Sequence, residues 1–335
     1  MTEEIALTAP TDELEASHAA MPSGPTRASR RRRWRFPVVP AIAGVAILLG
    51  MGIFQYPHVA SWFSQYNQSQ LIVDLAEEQQ DDSDPALHRE IVRADEYNKL
   101  LVGGVILEAN ANKPKAESTA ENSKYDYNEL LKATDTGVMG RLRVPGINVD
   151  LPIYHGTDDY TLTQGVGHLQ GTALPVGGES RHSVLTAHRG LPEATLFNDL
   201  DKVKIGDRFT VEVFGEVLTY EVNDTRVVEP EDTDSLRVVP GEDLVTLVTC
   251  TPLGLNTHRI LVTGERVTPT PVEDIQAAGE RPDIPGFPWW TVILGGTILA
   301  VGVYVWRAGY PRKTAADALR VGESSKISDG EGEAP

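Results

Sequence analysis

Cysteine and positive charge are both scarce in this chain of 335 residues. Its one cysteine, Cys250, cannot form a disulfide within the chain. Lys and Arg total 30 against 48 Asp and Glu, which leaves a net charge of -18. Binding to nucleic acid requires a basic face, so this balance argues against a nucleic-acid partner. A glycine-rich phosphate-binding signature is also lacking, because Gly177-Gly178 follows no strand-to-helix pattern.

Two long apolar segments, residues 37–54 and 289–306, have the length and composition of membrane-spanning helices. Arginines precede the first at positions 30–33, and Arg307, Arg312 and Lys313 follow the second. By the positive-inside rule, both termini are expected in the cytoplasm and residues 55–288 outside the plasma membrane. A cleaved signal peptide is the alternative for the first segment, but no small-x-small site clearly follows Phe54.

The pattern between these segments predicts a mainly β protein with N-terminal helices. Short β-branched strands separated by turn signals favour a closed barrel or a sandwich, with a hairpin at 208–222 and one short helix near 192–200. Helices are expected at 60–75 and after Ser83 or Asp84, and a polar loop at 110–124. The predicted divisions are a cytoplasmic tail (1–36), membrane helix (37–54), extracellular helices with a lid-like loop (55–135), catalytic barrel (136–267), Pro-rich exposed linker (268–288), membrane helix (289–306) and cytoplasmic tail (307–335).

Residues 244–266 hold the first candidates for chemistry. An apolar strand leads to Cys250, a Pro/Gly/Asn-containing loop follows, and Arg259 opens a second apolar strand. Two strands joined by one loop bring a thiol close to a permanent positive charge, which lowers a thiol pKa and can bind an oxyanion. The alternative is a buried, inert cysteine. A free thiol in an oxidising space outside the cell favours the functional interpretation.

A cysteine nucleophile needs a base, and the best-placed histidine is His188, at the end of the strand 183–187. His182 shares its face but lies six residues upstream, about 20 Å along an extended strand, so the two cannot chelate one metal. If Arg259 points inward, His258 is expected to point to the opposite face of the same strand. His155 and His168, in loops, are expected to serve as hydrogen-bonding residues.

An acidic run offers the only other metal candidate. Calcium is conceivable there, but such a run is more often a solvated loop. We therefore expect no metal and no cofactor. The run comprises Asp224, Glu229, Glu231, Asp232 and Asp234.

Motifs around Cys250 and His188 match a known pattern. TLVTC at 246–250 is followed nine residues on by Arg259, and LTAHRGLP lies at 185–192. These resemble the TLxTC…R signature and the histidine segment of sortases. The resemblance spans about residues 97–267. One class of this family, class C, commonly carries a second, C-terminal membrane segment, as this chain does. Three stretches are similar to class C, the pilin-polymerising sortases: LPIYHGT (151–157), GVGHLQGTALPVGG (165–178) and CTPLGLNTHR (250–259).

The resemblance implies a closed eight-stranded β-barrel with Cys250 as nucleophile, His188 as acid and base, and Arg259 as ligand of substrate and oxyanion. It implies an enzyme that cleaves an LPxTG-type signal of a pilin or surface protein between Thr and Gly. The acyl group is held as a thioester and passed to an amine, typically a pilin lysine. The alternatives are a housekeeping sortase, whose acceptor is a cell-wall precursor, and a non-enzymatic surface β-barrel module.

One departure concerns the lid. Class C enzymes usually cover the site with a segment carrying Asp-Pro-aromatic. The corresponding stretch here, 108–127, has no such tripeptide, and the chain's Asp84-Pro85 pair is followed by Ala86. We therefore expect the lid to be altered or missing.

Overall fold

The computed structural model describes residues 33–78, 85–101, 105–107, 114–116, 125–132, 137–282 and 284–310. The helices are α1 Val38–Glu78, α2 Pro85–Leu100, α3 Asp159–Gln164, α4 Val272–Ala277 and α5 Trp289–Ala308. The strands are β1 Val105–Leu107, β2 Pro114–Ala116, β3 Val138–Val144, β4 Val149–His155, β5 Val166–His168, β6 Arg181–Thr186, β7 Arg208–Val213, β8 Glu216–Val228, β9 Asp243–Thr251 and β10 His258–Arg266.

Eight of these strands close into a barrel in the order β10-β8-β7-β3-β4-β5-β6-β9, with β9 returning to β10. The pairs β4–β5 and β6–β9 are parallel and the others antiparallel. The predicted closed eight-stranded barrel is therefore confirmed. The hairpin β7–β8 is confirmed too, and its turn uses Phe214 and Gly215, both with positive φ, as a two-residue hairpin turn requires.

Side chains alternate across the barrel wall, because successive residues of a strand point to opposite faces. On β9, Val245 and Leu247 belong to the main core inside the barrel, whereas Val248 belongs to a second apolar cluster outside it. This outer cluster packs beneath Leu236 of the β8–β9 connection. Its members are Leu169, Val184, Val228, Leu236, Val248 and Leu261.

Two local predictions were wrong. The helix expected near 192–200 is a series of turns that ends in a 3-10 turn at Leu200–Lys202, and Leu196 has a positive φ that an α-helix excludes. Helix α3 was not predicted, because six residues are too short to show an apolar period. Its start is fixed locally, since the Asp158 carboxylate accepts a hydrogen bond from Thr161 N at 2.9 Å.

The predicted polar loop at 110–124 contains β2, which pairs antiparallel with β1. Proline at the first position of β2 does not prevent this pairing, because a strand end tolerates a missing N–H. The rest of that stretch, and the first predicted tail up to residue 32, lie outside the described residues.

Helix α1 does not end with the apolar segment 37–54 but runs on to Glu78, so the helix predicted at 60–75 is its continuation. Two helices, α1 and α5, are long and apolar enough to cross a membrane. The described chain forms two compact units, 45–301 and a smaller one from 33–44 with 302–310. In the smaller unit, Arg35 N donates to Gly309 O and Trp34 Nε1 to Trp306 O.

Within the larger unit, α1 is attached to the loop that follows β6. Ser61 Oγ lies 3.2 Å from Thr195 Oγ1, and Gln65 Nε2 also donates to that hydroxyl. Gln68 Nε2 donates to Gln164 O, at the end of α3, at 2.9 Å. The helix therefore holds two segments that flank the end of β6.

The described residues of the Pro-rich segment 268–288 are exposed or half-buried, as expected, but the segment also contains α4 and is hydrogen-bonded along the outside of the barrel. The segment is attached because side chains on the outer faces of β3 and β8 donate hydrogen bonds to its carbonyl and carboxylate oxygens. The bonds run from Arg143 Nη1 to Ala277 O (2.7 Å), from Arg141 Nη1 to Glu280 O (2.9 Å), and from Thr219 Oγ1 to Asp274 Oδ2 (2.7 Å).

Candidate active site

Cys250 and Arg259 lie directly opposite each other on the antiparallel strands β9 and β10. Opposed residues of such a pair project to the same side of the sheet. That side is the outside of the barrel, since Val248 and Leu261, two residues away on each strand, belong to the outer cluster. The Cys250 side chain is half-buried and Arg259 is buried. The thiol and the guanidinium are therefore neighbours, as the sequence predicted.

His188 reaches the same place from β6. Strands β6 and β9 run parallel with Thr186 opposite Val248, and Ala187 N continues the pairing with a 3.2 Å bond to Val248 O. Two residues further along both strands, the same register brings His188 beside Cys250, on the face shared by Thr186 and Val248. The register thus places the three predicted residues at the ends of three adjacent strands, with Cys250 on the middle one.

Backbone carbonyls fix the Arg259 guanidinium near the thiol. Its Nη1 donates to Asn256 O at 2.9 Å, in the turn that joins β9 to β10, and to His258 O at 3.0 Å, at the first residue of β10. The turn geometry, with Asn256 at positive φ, therefore sets the direction of the charge.

Burial is the larger influence on the thiol. It raises the pKa of Cys250 above the usual thiol value, and the Arg259 charge opposes this by lowering it. Burial also lowers the pKa of His188, against an upward influence from the charge of Asp159. The sequence predicted the direction of the Arg259 effect but not that burial outweighs it. Both shifts favour a neutral thiol and a neutral imidazole in the resting site.

His182 is held in a structural position away from the thiol. It is buried, its Nδ1 donates to Arg237 O at 2.9 Å, and its Nε2 accepts from Thr246 Oγ1 at 2.7 Å. Burial lowers the pKa of His182, which keeps the neutral form that this pattern needs.

His155 and His168 were expected in loops but are the last residues of β4 and β5, half-buried and buried respectively; both are hydrogen-bonded, as expected. His155 Nε2 donates to Leu130 O at 2.6 Å. His168 Nε2 donates to Ala173 O, and its Nδ1 lies 2.9 Å from the hydroxyl of Tyr127. Burial lowers the pKa of His168 to about 4, so this side chain stays neutral.

His258 lies next to Arg259 and alternates with it across β10, so it projects away from the outer face. Its Nδ1 is 2.9 Å from Thr257 Oγ1. The expectation supposed that Arg259 points inward, whereas Arg259 lies on the outside of the barrel, on the same face as Leu261 of the outer cluster.

Asp159 is the residue near this site that sequence reasoning missed. It is the first residue of α3, two positions after the HGT of the 151–157 motif, and its negative charge opposes the burial that lowers the pKa of His188. The Asp158-Asp159 pair at a helix start was the available signal, but nothing local connects it to a histidine about thirty residues away.

Metal-ligand geometry is lacking in the described part of the chain, where no group of three or more His, Cys, Asp or Glu could hold an ion. In the acidic run, Asp224 pairs with Arg226 and Asp234 with Arg237.

A protein-family model, the sortase domain, matches residues 142–267. Sortase D of Bacillus subtilis (strain 168) is 32% identical over 163 residues, which cover 47% of this chain and 79% of that protein. The chain belongs to the sortase family.

Two solved structures are similar over the whole of their chains. Sortase C1 from Streptococcus agalactiae is 40% identical, with a TM-score of 0.52, and the match covers 60% of this chain and 100% of that one. Sortase C from Streptococcus pneumoniae, whose structure is described with its pilin substrate specificity, is 36% identical, with a TM-score of 0.53, and the match covers 61% of this chain and 100% of that one.

The structural neighbours of this sortase are therefore class C pilin sortases, and the protein is a cysteine transpeptidase of that family. The lid prediction falls on residues 108–127, of which 108–113 and 117–124 lie outside the described residues. An altered lid stays a prediction for this sortase.

The opposed influences on Cys250 predict a pH effect. Replacing Arg259 by glutamine removes the contribution that lowers the thiol pKa and leaves the burial that raises it. The rate of Cys250 alkylation by iodoacetamide, which follows the thiolate fraction, should then rise at higher pH than in the wild type. Arg208→Gln is the control, because Arg208 is half-exposed and pairs with Glu221 at the far end of the barrel strands. An unchanged profile in Arg259→Gln would show that this charge does not act on the thiol.

Proposed function

We propose that this sortase is a membrane-anchored transpeptidase that cleaves LPxTG-type sorting signals between Thr and Gly and transfers the acyl group to a pilin lysine. Cys250 is the nucleophile, His188 the acid and base, and Arg259 the ligand of the oxyanion. The observation that supports the proposal is the placement of these residues at the ends of the adjacent strands β6, β9 and β10, with the half-buried Cys250 on the middle strand.

In the first half-reaction, the Cys250 thiol transfers its proton to His188 as Sγ attacks the carbonyl carbon of the signal's threonine. This order follows from the neutral resting forms that burial favours. The C–N bond to glycine then breaks, the leaving amine takes the proton from His188, and the acyl group remains on Sγ as a thioester.

In the second half-reaction, an amine attacks the thioester carbon and gives a proton to His188. The C–S bond breaks, Cys250 leaves as a thiolate and recovers the proton, and an amide joins the two polypeptides. The thioester preserves the free energy of the cleaved peptide bond, so the transfer needs no ATP outside the cell.

Arg259 suits the oxyanion that forms in both steps. Its charge is permanent, and the carbonyls of Asn256 and His258 hold it in place before substrate arrives. A donor that is already oriented stabilises developing charge without a cost of reorganisation at the moment of reaction.

The outer cluster is a buried apolar layer next to the strand ends that carry the thiol. Val248 and Leu261 are the nearest residues on the same face of β9 and β10, and Val184 lies on the corresponding face of β6. Because Leu236 covers these side chains, the cluster supports the strand ends that carry Cys250 and Arg259 and does not itself contact a sorting signal.

The direct test uses the purified full chain in detergent with a fluorescent LPxTG peptide. We expect a covalent adduct on Cys250 by mass spectrometry, followed by transfer to a lysine-containing pilin peptide. A cell-wall precursor amine, offered in a parallel reaction, is the control for the acceptor. Transfer only to that precursor would contradict the pilin assignment, and a lack of any adduct would contradict the enzyme assignment.

Membrane topology is part of the proposal: α1 and α5 cross the plasma membrane, with the barrel outside and both termini in the cytoplasm. Arginines and a lysine flank both apolar segments on their terminal sides. In a Cys250→Ala background, Ser325→Cys should resist a membrane-impermeant thiol reagent in intact cells until lysis. Glu179→Cys, on an exposed turn of the barrel, is the matched control that should react at once. Labelling of Ser325→Cys in intact cells would refute the second span.

A further inference from the structure

Arg189, which directly follows His188, makes three contacts with a side chain that is only 10% exposed. Its Nε donates to Asn198 O at 2.9 Å, its Nη2 lies 2.9 Å from Asp201 Oδ2, and its Nη1 donates to Thr251 Oγ1 at 3.3 Å. The three nitrogens of one planar guanidinium thus bind two segments, residues 198–201 at two points and Thr251 at a third, a geometry that the single ammonium of lysine does not reproduce.

The contact with Thr251 joins the two strand ends that carry the proposed reacting pair. Thr251 directly follows Cys250, as Arg189 directly follows His188. The regular pairing of β6 with β9 ends at Thr186 and Val248, two residues before His188 and Cys250. The bond from Arg189 to Thr251 lies one residue beyond His188 and Cys250. The two strands are therefore joined before these residues by backbone pairing and after them by this side-chain bond.

The Arg189 side chain is held by residues of the loop after β6 and by Thr251, on the side of the strand ends away from the Cys250 thiol. The loop after β6 returns to its own base, where Phe197 N donates to His188 O at 3.1 Å and Gly190 N donates to Asn198 Oδ1. Thr251 also points to the face of β9 opposite Cys250, because consecutive strand residues alternate. Arg189 therefore acts behind the reacting atoms and does not touch them.

We propose that Arg189 is a positioning residue that sets the separation between the His188 imidazole and the Cys250 thiol through its bond to Thr251. The proposal rests on the proposed function, in which these two groups exchange a proton. Proton transfer needs donor and acceptor within hydrogen-bond reach, and displacement of a catalytic group by about 1 Å can cost on the order of a hundredfold in rate. A bridge that ties the two strand ends together limits such displacement.

Thr251 provides the sharpest test, because serine keeps the hydroxyl and valine removes it while keeping the shape. With the full chain and the LPxTG peptide, Thr251→Val and Arg189→Gln should each lower kcat about tenfold or more, with KM changed by less than about twofold. Thr251→Ser should stay near the wild-type rate. The double variant should be no slower than Arg189→Gln alone, because both changes remove the same bond.

A second measurement does not depend on peptide transfer. In the wild type, His188→Ala should change the pH dependence of Cys250 alkylation by iodoacetamide, since the two groups interact; in the Arg189→Gln background this change should be smaller. Arg208→Gln, an exposed arginine in a surface ion pair, is the matched control for both measurements.

Equal kcat values for Thr251→Val and Thr251→Ser would overturn the positioning role, as would an unaltered response to His188→Ala. Failure of the wild type to form an acyl-enzyme would refute the proposed function instead, and the alkylation measurement would still decide the bridge.

Discussion

Replacing Cys250 by alanine should abolish thioester formation, and His188→Ala and Arg259→Ala should each lower turnover at least about 100-fold. The thiol has no substitute, because it is the only cysteine of the chain. Loss of His188 leaves the leaving amine without a proton donor, and loss of Arg259 leaves the oxyanion without its cation. Single-turnover acylation by the LPxTG peptide measures the first half-reaction in each variant.

His258→Ala is the control for these substitutions. It lies next to Arg259 in the chain, but its side chain projects to the other side of β10 and contacts Thr257. Its loss should therefore lower turnover far less than loss of His188. Comparable losses in the two variants would mean that the base has been assigned to the wrong histidine.

Arg141→Met should destabilise the protein by about 3–5 kcal/mol, the usual cost of removing one partner from a buried ion pair. Arg141 is 2% exposed and forms a two-bond pair with Asp150, with Nε and Nη2 at 2.6 and 2.7 Å from the carboxylate oxygens. Its Nη1 also lies 3.4 Å from Glu212, directly opposite it on β7. Methionine fills much of the same space but leaves both carboxylates without this cation.

A cavity of about 250 Å³ adjoins Arg141 and Glu212, between the barrel, α1 and α4. Water entering it can solvate an uncovered carboxylate, so the lower part of the 3–5 kcal/mol range is the expected result. Denaturant unfolding of the detergent-solubilised full chain gives the value. Arg208→Met is the control, since the exposed pair of Arg208 with Glu221 should contribute no more than about 1 kcal/mol.

The destabilisation should shrink as pH falls. Burial raises the pKa of Glu212, and Arg141 opposes that rise, so removing Arg141 raises this pKa further. A carboxyl whose folded-state pKa exceeds its unfolded value loses stability as pH increases through the folded pKa, and keeps it below the unfolded pKa. The difference between Arg141→Met and wild type should therefore be smaller in acid than at neutral pH. A pH-independent difference would show that Glu212 is not the group left uncompensated.

Several features of this sortase could be predicted from local sequence alone. Strands and hairpins follow from short alternating runs between turn residues, and the candidate site from motifs that each lie within one strand and its following loop. The neighbouring positions of Cys250 and Arg259 were predictable for the same reason, because one turn joins their strands.

Other features depend on contacts between distant segments. His188 meets Cys250 only because β6 pairs with β9 in parallel, across about sixty residues, with Thr186 opposite Val248. The direction of the shift in the Cys250 pKa depends on burial, because burial raises this pKa by more than the Arg259 charge lowers it. Burial of the thiol is decided only by the complete fold. The bridge from Arg189 to Thr251 and the attachment of α1 to Thr195 depend on the same long-range placement. Periodicity and turn chemistry act over a few residues, whereas register between distant strands and loss of solvent are set by the tertiary structure.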